Sequence, residues 1–257
     1  MNPSLFRSTL RSLAFTAVLA STGLPAFAGQ RKFAYTYETT TTPKGAVEVE
    51  NFVTWKRGSK NGQSTNRFDF RHEIEIGVTD RLQLGFYVAD WTYNDADEQK
   101  HLRYTHSAIE ALYSLTNPAT DFIGSAVYLE VAAAKSLLEI EAKLLLQKNF
   151  GPVVVAYNAI IEGEWEGTHL DEERNGEVAQ TLGVSVEINR NFSVGAEVVH
   201  EVEIPNWDRA EDSIVFAGPN ASVHFGRAFA TAACLFQLTD IDGEPDVQTR
   251  VIFGFIF

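Results

Sequence analysis

From residue 46 to residue 257 the chain alternates apolar and polar side chains, in one segment of about ten residues after another. In AVEVENFVTWK (46–56), Val47, Val49, Val53 and Trp55 fall on one face, and Glu48, Glu50, Thr54 and Lys56 on the other. In RFDFRHEIEIGV (67–78), Phe68, Phe70, Ile74, Ile76 and Val78 oppose Asp69, Arg71, Glu73, Glu75 and Gly77. Successive side chains of a strand point to opposite faces, so a period of two over this length means strand rather than helix. LLEIEAKLLLQ (137–147) is rich in helix formers, yet Leu138, Ile140, Ala142, Leu144 and Leu146 alternate strictly with Glu139, Glu141, Lys143 and Gln147. The same pattern gives strands over 81–89, 104–115, 123–133, 153–166, 178–188, 192–203, 213–225, 228–238 and 246–257, about twelve in all.

The connections come in two lengths. TD, TNPATD, NFGP, NRN and GR are short and rich in turn residues. Most of the alternate set are longer and polar: 57–65, 90–103, 167–176, 204–212 and 239–245; the connection at 134–136 breaks the rule. Tilted strands of about ten residues, short turns at one end and long loops at the other are the layout of a transmembrane β-barrel. A soluble sandwich or lipocalin-like barrel also alternates, but its apolar face points inward and leaves little room for so many carboxylates. The expected fold is therefore all-β, an antiparallel transmembrane β-barrel of about twelve strands, with periplasmic turns and extracellular loops.

The two ends of the chain fit this reading. Residues 1–28 carry Arg7 and Arg11, a short apolar run and Ala26-Phe27-Ala28, the pattern of a secretory signal peptide. No later window is apolar over the length a membrane helix needs. Cleavage after Ala28 removes two of the 21 basic residues and none of the 34 acidic ones, for a net charge of −15. That charge excludes nucleic acid as a partner. Cys234 is the single cysteine, so no internal disulfide forms. The chain closes on VQTRVIFGFIF, with Phe253, Phe255 and Phe257 in alternation. In water such a strand is an aggregation hazard. In a barrel it pairs with the first strand and shows its aromatic residues to the membrane interface, as Trp55 and Phe68 are expected to do elsewhere.

In this alternation and its terminal phenylalanine the chain resembles Gram-negative outer-membrane β-barrels. That resemblance implies recognition of the last strand by the barrel assembly machinery, contact with outer-membrane lipid and lipopolysaccharide, and residence in the outer membrane after export. FAYTYETTTTPKGAVEVE, GVTDRLQLGFYV and TNPATDFIGSAVYLEV are similar to uncharacterised barrels related to the phenol meta-pathway transporter family, which implies a channel or uptake role.

The polar face is strongly acidic. Glu48, Glu50, Asp69, Glu73, Glu75, Glu110, Glu130, Glu139, Glu141, Glu162, Glu164, Glu187, Glu197, Glu201 and Glu203 are expected to line the lumen, with Lys56, Arg71, Lys143 and Arg250 as the few cations. Tyr87, Trp91, Tyr128 and Phe52 are expected beside them. Carboxylate rings draw cations. The expected function is passage of small solutes with a cationic or aromatic bias; the alternative is a non-conducting interaction barrel with a filled lumen. Barrels of about eight strands are filled and those of about sixteen are open, so about twelve leaves a narrow or gated path. Residues 29–45, GQRKFAYTYETTTTPKG, are expected to enter the lumen as a partial plug or to extend the first strand. No catalytic set is expected: His106 and Ser107 point to opposite faces, and Ser222 with His224 is the nearest alternative. No cofactor or metal is expected, because the six histidines are dispersed and Asp240, Asp242, Glu244 and Asp246 lack a full calcium-loop spacing.

Overall fold

A computed structural model of the chain describes residues 31–60, 63–95 and 101–257; the expected signal peptide, 1–28, lies outside the described residues. The strands are β1 (Val47–Lys60), β2 (Gln63–Gly77), β3 (Leu82–Asn94), β4 (Leu102–Tyr104), β5 (Ser107–Thr116), β6 (Gly124–Ala134), β7 (Leu137–Phe150), β8 (Val153–Glu166), β9 (Glu173–Asn189), β10 (Phe192–Pro205), β11 (Ile214–Phe225), β12 (Ala228–Gln237) and β13 (Pro245–Ile256). β4 and β5 both pair with β3 and make one interrupted stave. The other neighbours pair antiparallel in chain order, and β1 pairs with β13 from Glu48↔Ile256 to Gly58↔Pro245. The result is a closed barrel of twelve staves.

Closure satisfies the edge groups that an open sheet would present. The last residue takes part, since the Phe257 N–H donates to the Val47 carbonyl at 2.8 Å. At the short-turn end, Gly151 and Gly226 have φ of 61° and 62°, a left-handed conformation glycine adopts without a Cβ penalty.

The barrel is inside-out compared with a soluble protein. Ile161 is 62 % exposed and Val88 59 %, while Glu73 and Glu110 are 0 % exposed. Apolar groups on the outer face cost nothing against lipid, whereas carboxylates there would. Phe253, Phe255 and Phe257 lie on that outer face at the turn end. Trp55 and Phe68 pair across β1 and β2 toward the loop end, and Phe68 pairs with Tyr93 on β3.

Two details correct the sequence reading. Most of the loop expected at 57–65 is ladder, with Lys60 opposite Gln63, and β3, β9 and β10 likewise run into the expected loops at 90–103, 167–176 and 204–212. Beyond the lipid both faces are wet, so the apolar alternation stops while backbone pairing continues. Trp91 faces outward rather than into the lumen. His72 pairs with Ala89 and Glu73 with Tyr87, so Val88 is an extra residue on β3. Such a bulge reverses the facing of everything after it. Tyr87 therefore points inward, while Trp91 pairs with Phe70 and packs edge-on against Tyr104 at 5.6 Å.

Candidate functional site

The lumen holds the N-terminal segment. Residues 31–45 cross it ahead of β1, and the wall binds their backbone with side chains from seven staves. Glu197 on β10 accepts three successive backbone N–H groups, from Ala34, Tyr35 and Thr36, each at 2.8 Å. Asn158 on β8 accepts the Tyr37 N–H at 2.7 Å and donates to the Tyr37 carbonyl at 3.0 Å. Gln147 on β7 accepts the Thr39 N–H and Gln83 on β3 the Thr42 N–H. Asn220 on β11 donates to the Lys32 carbonyl. Ser222 on β11 and Thr231 on β12 both donate to the Arg31 carbonyl at 2.6 Å, and Arg250 on β13 donates to the Ala34 carbonyl at 3.3 Å. A segment without a strand partner would leave its backbone groups unpaired; here lumen side chains take the place of a neighbouring strand. Phe33, 1 % exposed, packs with Val154 and Ala156 and over Gly183, where a side chain would strike its ring.

Arg31 supplies the counter-charge to the acids at the turn end. Its Nε lies 2.8 Å from Glu50, and its Nη2 3.3 Å from Glu75 and 3.9 Å from Glu73. Neither oxygen of Glu73 has a hydrogen-bond partner among the described residues. The carboxylates of Glu48, Glu50 and Glu75, and those of Glu73, Glu75 and Glu110, converge within 4.8 Å. Those oxygens could ligate a hard cation, and Arg31 already neutralises part of their charge.

Higher in the lumen the aromatic residues and cations interleave. Arg71 pairs with Asp90 at 2.7 Å and Glu130 at 3.4 Å and lies over the Tyr87 ring at 4.1 Å. Lys143 pairs with Glu141 at 2.7 Å and sits over both Tyr37 and Tyr128. Arg250 lies over Tyr35 at 4.2 Å. Tyr35 and Tyr37 thus form a floor. Above it a chamber of about 930 Å³ reaches the loop end, lined by Glu139, Glu162, Glu164, Glu177 and Glu201 among others. Below it, a space of about 60 Å³ lies between the segment and the wall at Glu48, Glu50 and Glu75.

The structure places all of Glu48, Glu50, Asp69, Arg71, Glu73, Glu75, Glu130, Glu139, Glu141, Lys143, Glu162, Glu164, Glu197, Glu201 and Arg250 on the inner face, in three tiers. Glu48, Glu50, Glu73 and Glu75 surround Arg31. Glu197 holds the segment. The others line the chamber or its floor. Sequence reasoning missed Arg31 and Arg67 as lumen cations, and Asn158, Gln147 and Gln83 as backbone readers. Their signal was an amide on the inward face of an otherwise charged strand. The two hydroxyl–imidazole candidates go elsewhere. His106 pairs with Asp90 while Ser107 bonds Tyr104 and the Val88 carbonyl. The Ser222 hydroxyl lies 3.1 Å from His224 but is engaged with the Arg31 carbonyl.

Outside the membrane-spanning strands, the half-buried Glu38 carboxyl is pushed up to about 7 by desolvation, against the Lys32 N–H and the Lys32 and Arg31 charges that pull it down.

The model of a family of unknown function, DUF6662, matches residues 25–249. Among solved structures, the COG4313 outer membrane channel from Pseudomonas putida F1 aligns with a TM-score of 0.62 at 13% identity, over 86% of this chain and 98% of that one. The NanC porin aligns at 0.54 and 8% identity, over 82% and 98%. The translocator domain of the autotransporter NalP from Neisseria meningitidis aligns at 0.50 and 12% identity, over 84% and 90%. At such identities the likeness is one of fold, that of the outer-membrane β-barrel. No curated protein matches the sequence.

Proposed function

The chain belongs to the DUF6662 family and is an outer-membrane β-barrel, and from that premise we propose that it is a channel for small solutes whose N-terminal segment closes the lumen. The observation that carries this is the chamber of about 930 Å³, lined by acids and ending on the Tyr35 and Tyr37 floor. A purely structural barrel has no need of such a space. The floor is held by side-chain hydrogen bonds, ion pairs and ring contacts with the wall, with no strand ladder, so it can leave without opening the sheet. The excess of carboxylates favours cations, the aromatic floor suits aromatic solutes, and the resemblance to phenol meta-pathway transporters implies a channel or uptake role. Lipid and lipopolysaccharide surround the outer face, and the strand ending in Phe257 is the segment offered to the assembly machinery.

The test is single-channel recording in planar bilayers across a salt gradient, with the mature chain and with a chain lacking residues 31–45. The expected result is small, flickering steps with a cation-selective reversal potential from the full chain, and larger steady steps from the shortened one. If both insert as folded barrels and both stay silent, the channel reading fails. The non-conducting interaction barrel then takes its place, a reading favoured by how densely residues 31–42 are bonded.

A further inference from the structure

The chamber is not uniformly acidic: its charges are sorted by side. In a barrel of twelve staves, the stave six steps away lies diametrically opposite. By the strand order, β1 faces β8, β2 faces β9 and β13 faces β7. Lys56 on β1, Arg67 on β2 and Arg250 on β13 make one wall cationic. Glu162 on β8, Glu177 on β9 and Glu201 on β10 make the other anionic. The cationic wall keeps net positive charge, since Asp69 serves both Arg67, at 2.7 Å, and Lys56, at 4.0 Å. On the anionic wall, none of the three glutamates has an ion pair among the described residues. Its one cation, Lys143, is spent on Glu141.

We propose that the chamber is a binding site for small bipolar solutes, with an ammonium or similar cation at one end, a carboxylate or similar anion at the other, and an apolar body between. This deepens the channel reading and rests on it. A field across the lumen discriminates where a uniform charge cannot. A simple cation gains from the glutamate wall but is repelled by the basic one, and a simple anion meets the reverse. A bipolar solute satisfies both walls, and its apolar middle lies over Tyr35 and Tyr37. Its net charge is zero, so it enters without adding to the excess charge of the lumen.

Calorimetric titration of the mature chain, folded in detergent micelles, tests this with ε-aminocaproate, hexylammonium and caproate. Aminocaproate should bind at least about tenfold more tightly than either singly charged probe, a gap of about 1.4 kcal/mol. In the double variant Glu162→Gln with Glu177→Gln, its affinity should fall to that of caproate. In Lys56→Gln with Arg67→Gln, it should fall to that of hexylammonium. Heat-modifiable gel migration identifies variants that remain folded barrels. Hexylammonium binding the wild type as tightly as aminocaproate would overturn the proposal in favour of a plain cation chamber. So would an absence of binding by aminoalkanoates from γ-aminobutyrate to ε-aminocaproate. Binding is read here without passage. A barrel that binds aminocaproate but does not conduct sinks the channel reading and spares this one; a conducting barrel without the preference does the opposite.

Discussion

Replacing Glu197 with glutamine should release the N-terminal segment while leaving the barrel intact. The Glu197 Oε1 accepts the Ala34 N–H at 2.8 Å and the Asn220 Nδ2 at 3.0 Å. Its Oε2 accepts the Tyr35 and Thr36 N–H groups, both at 2.8 Å. A glutamine has one acceptor oxygen and one donor nitrogen. Whichever position the nitrogen takes, two hydrogen bonds to a charged acceptor are lost and donor is set against donor. The Asn220 bond is internal to the wall, so the nitrogen at Oε1 costs docking one such bond and at Oε2 two; at about 1.5–3 kcal/mol for each, docking loses at least about 1.5–3 kcal/mol. The lower figure alone shifts the ratio of docked to released segment by about tenfold. The cost falls on docking, because the ladder of β10 to β9 and β11 is made by backbone groups. Limited trypsin digestion of the folded barrel reads the outcome directly. Lys32 is 7 % exposed while docked, so cleavage after Arg31 and Lys32 should be slow in the wild type and fast in the variant. Planar-bilayer conductance should rise in parallel. If the variant folds, stays protected and conducts no more than the wild type, Glu197 is not the latch and the hydrogen-bond reasoning is refuted.

Three further outcomes follow from the same geometry. Gly183→Ala places a Cβ about 2.5 Å from the Phe33 ring; overpacking of this kind costs about 1–3 kcal/mol, so trypsin cleavage should speed up, and Phe33→Leu in the same chain should slow it again. Glu73→Gln removes a fully buried carboxyl with no hydrogen-bond partner and Arg31 no nearer than 3.9 Å, so the heat-modifiable transition should move to higher temperature, by an amount equivalent to about 1 kcal/mol or more; a lower transition would mean that the carboxyl is needed. Docking should also weaken with pH. Burial lifts the Glu38 carboxyl from 4.5 to about 7 in the docked state. A raised acid contributes most below its free value and loses that contribution as pH rises through the docked one. Lys32, Arg31 and Glu187 are the charges around it. Conductance should therefore grow between about pH 5 and about pH 8, and Glu38→Gln should flatten the rise; a profile unchanged by that substitution would exclude Glu38 as its source.

The barrel was legible in the order of residues along the chain. Alternation is a local property, read from residues two apart, and it reported strand number, facing and the two kinds of connection. Val47 to Lys56 shows this: Glu48 and Glu50 could only be interior once Val47, Val49 and Val53 met lipid. The same locality set its limits. The extra residue at Val88 has no signature in composition, and it turned Trp91 outward because a bulge is fixed by pairing between strands. Nothing near residue 37 announces that its backbone will be read by Asn158, 121 positions away, nor that the Arg31 carbonyl will meet Thr231, 200 positions away. The alternation put acids on the inner face but did not sort them from the cations opposite. That sorting needs the stave count, because only closure at twelve sets Lys56 across from Glu162. The wall came from neighbours along the chain, and the contents of the lumen from contacts that exist only after the wall has closed.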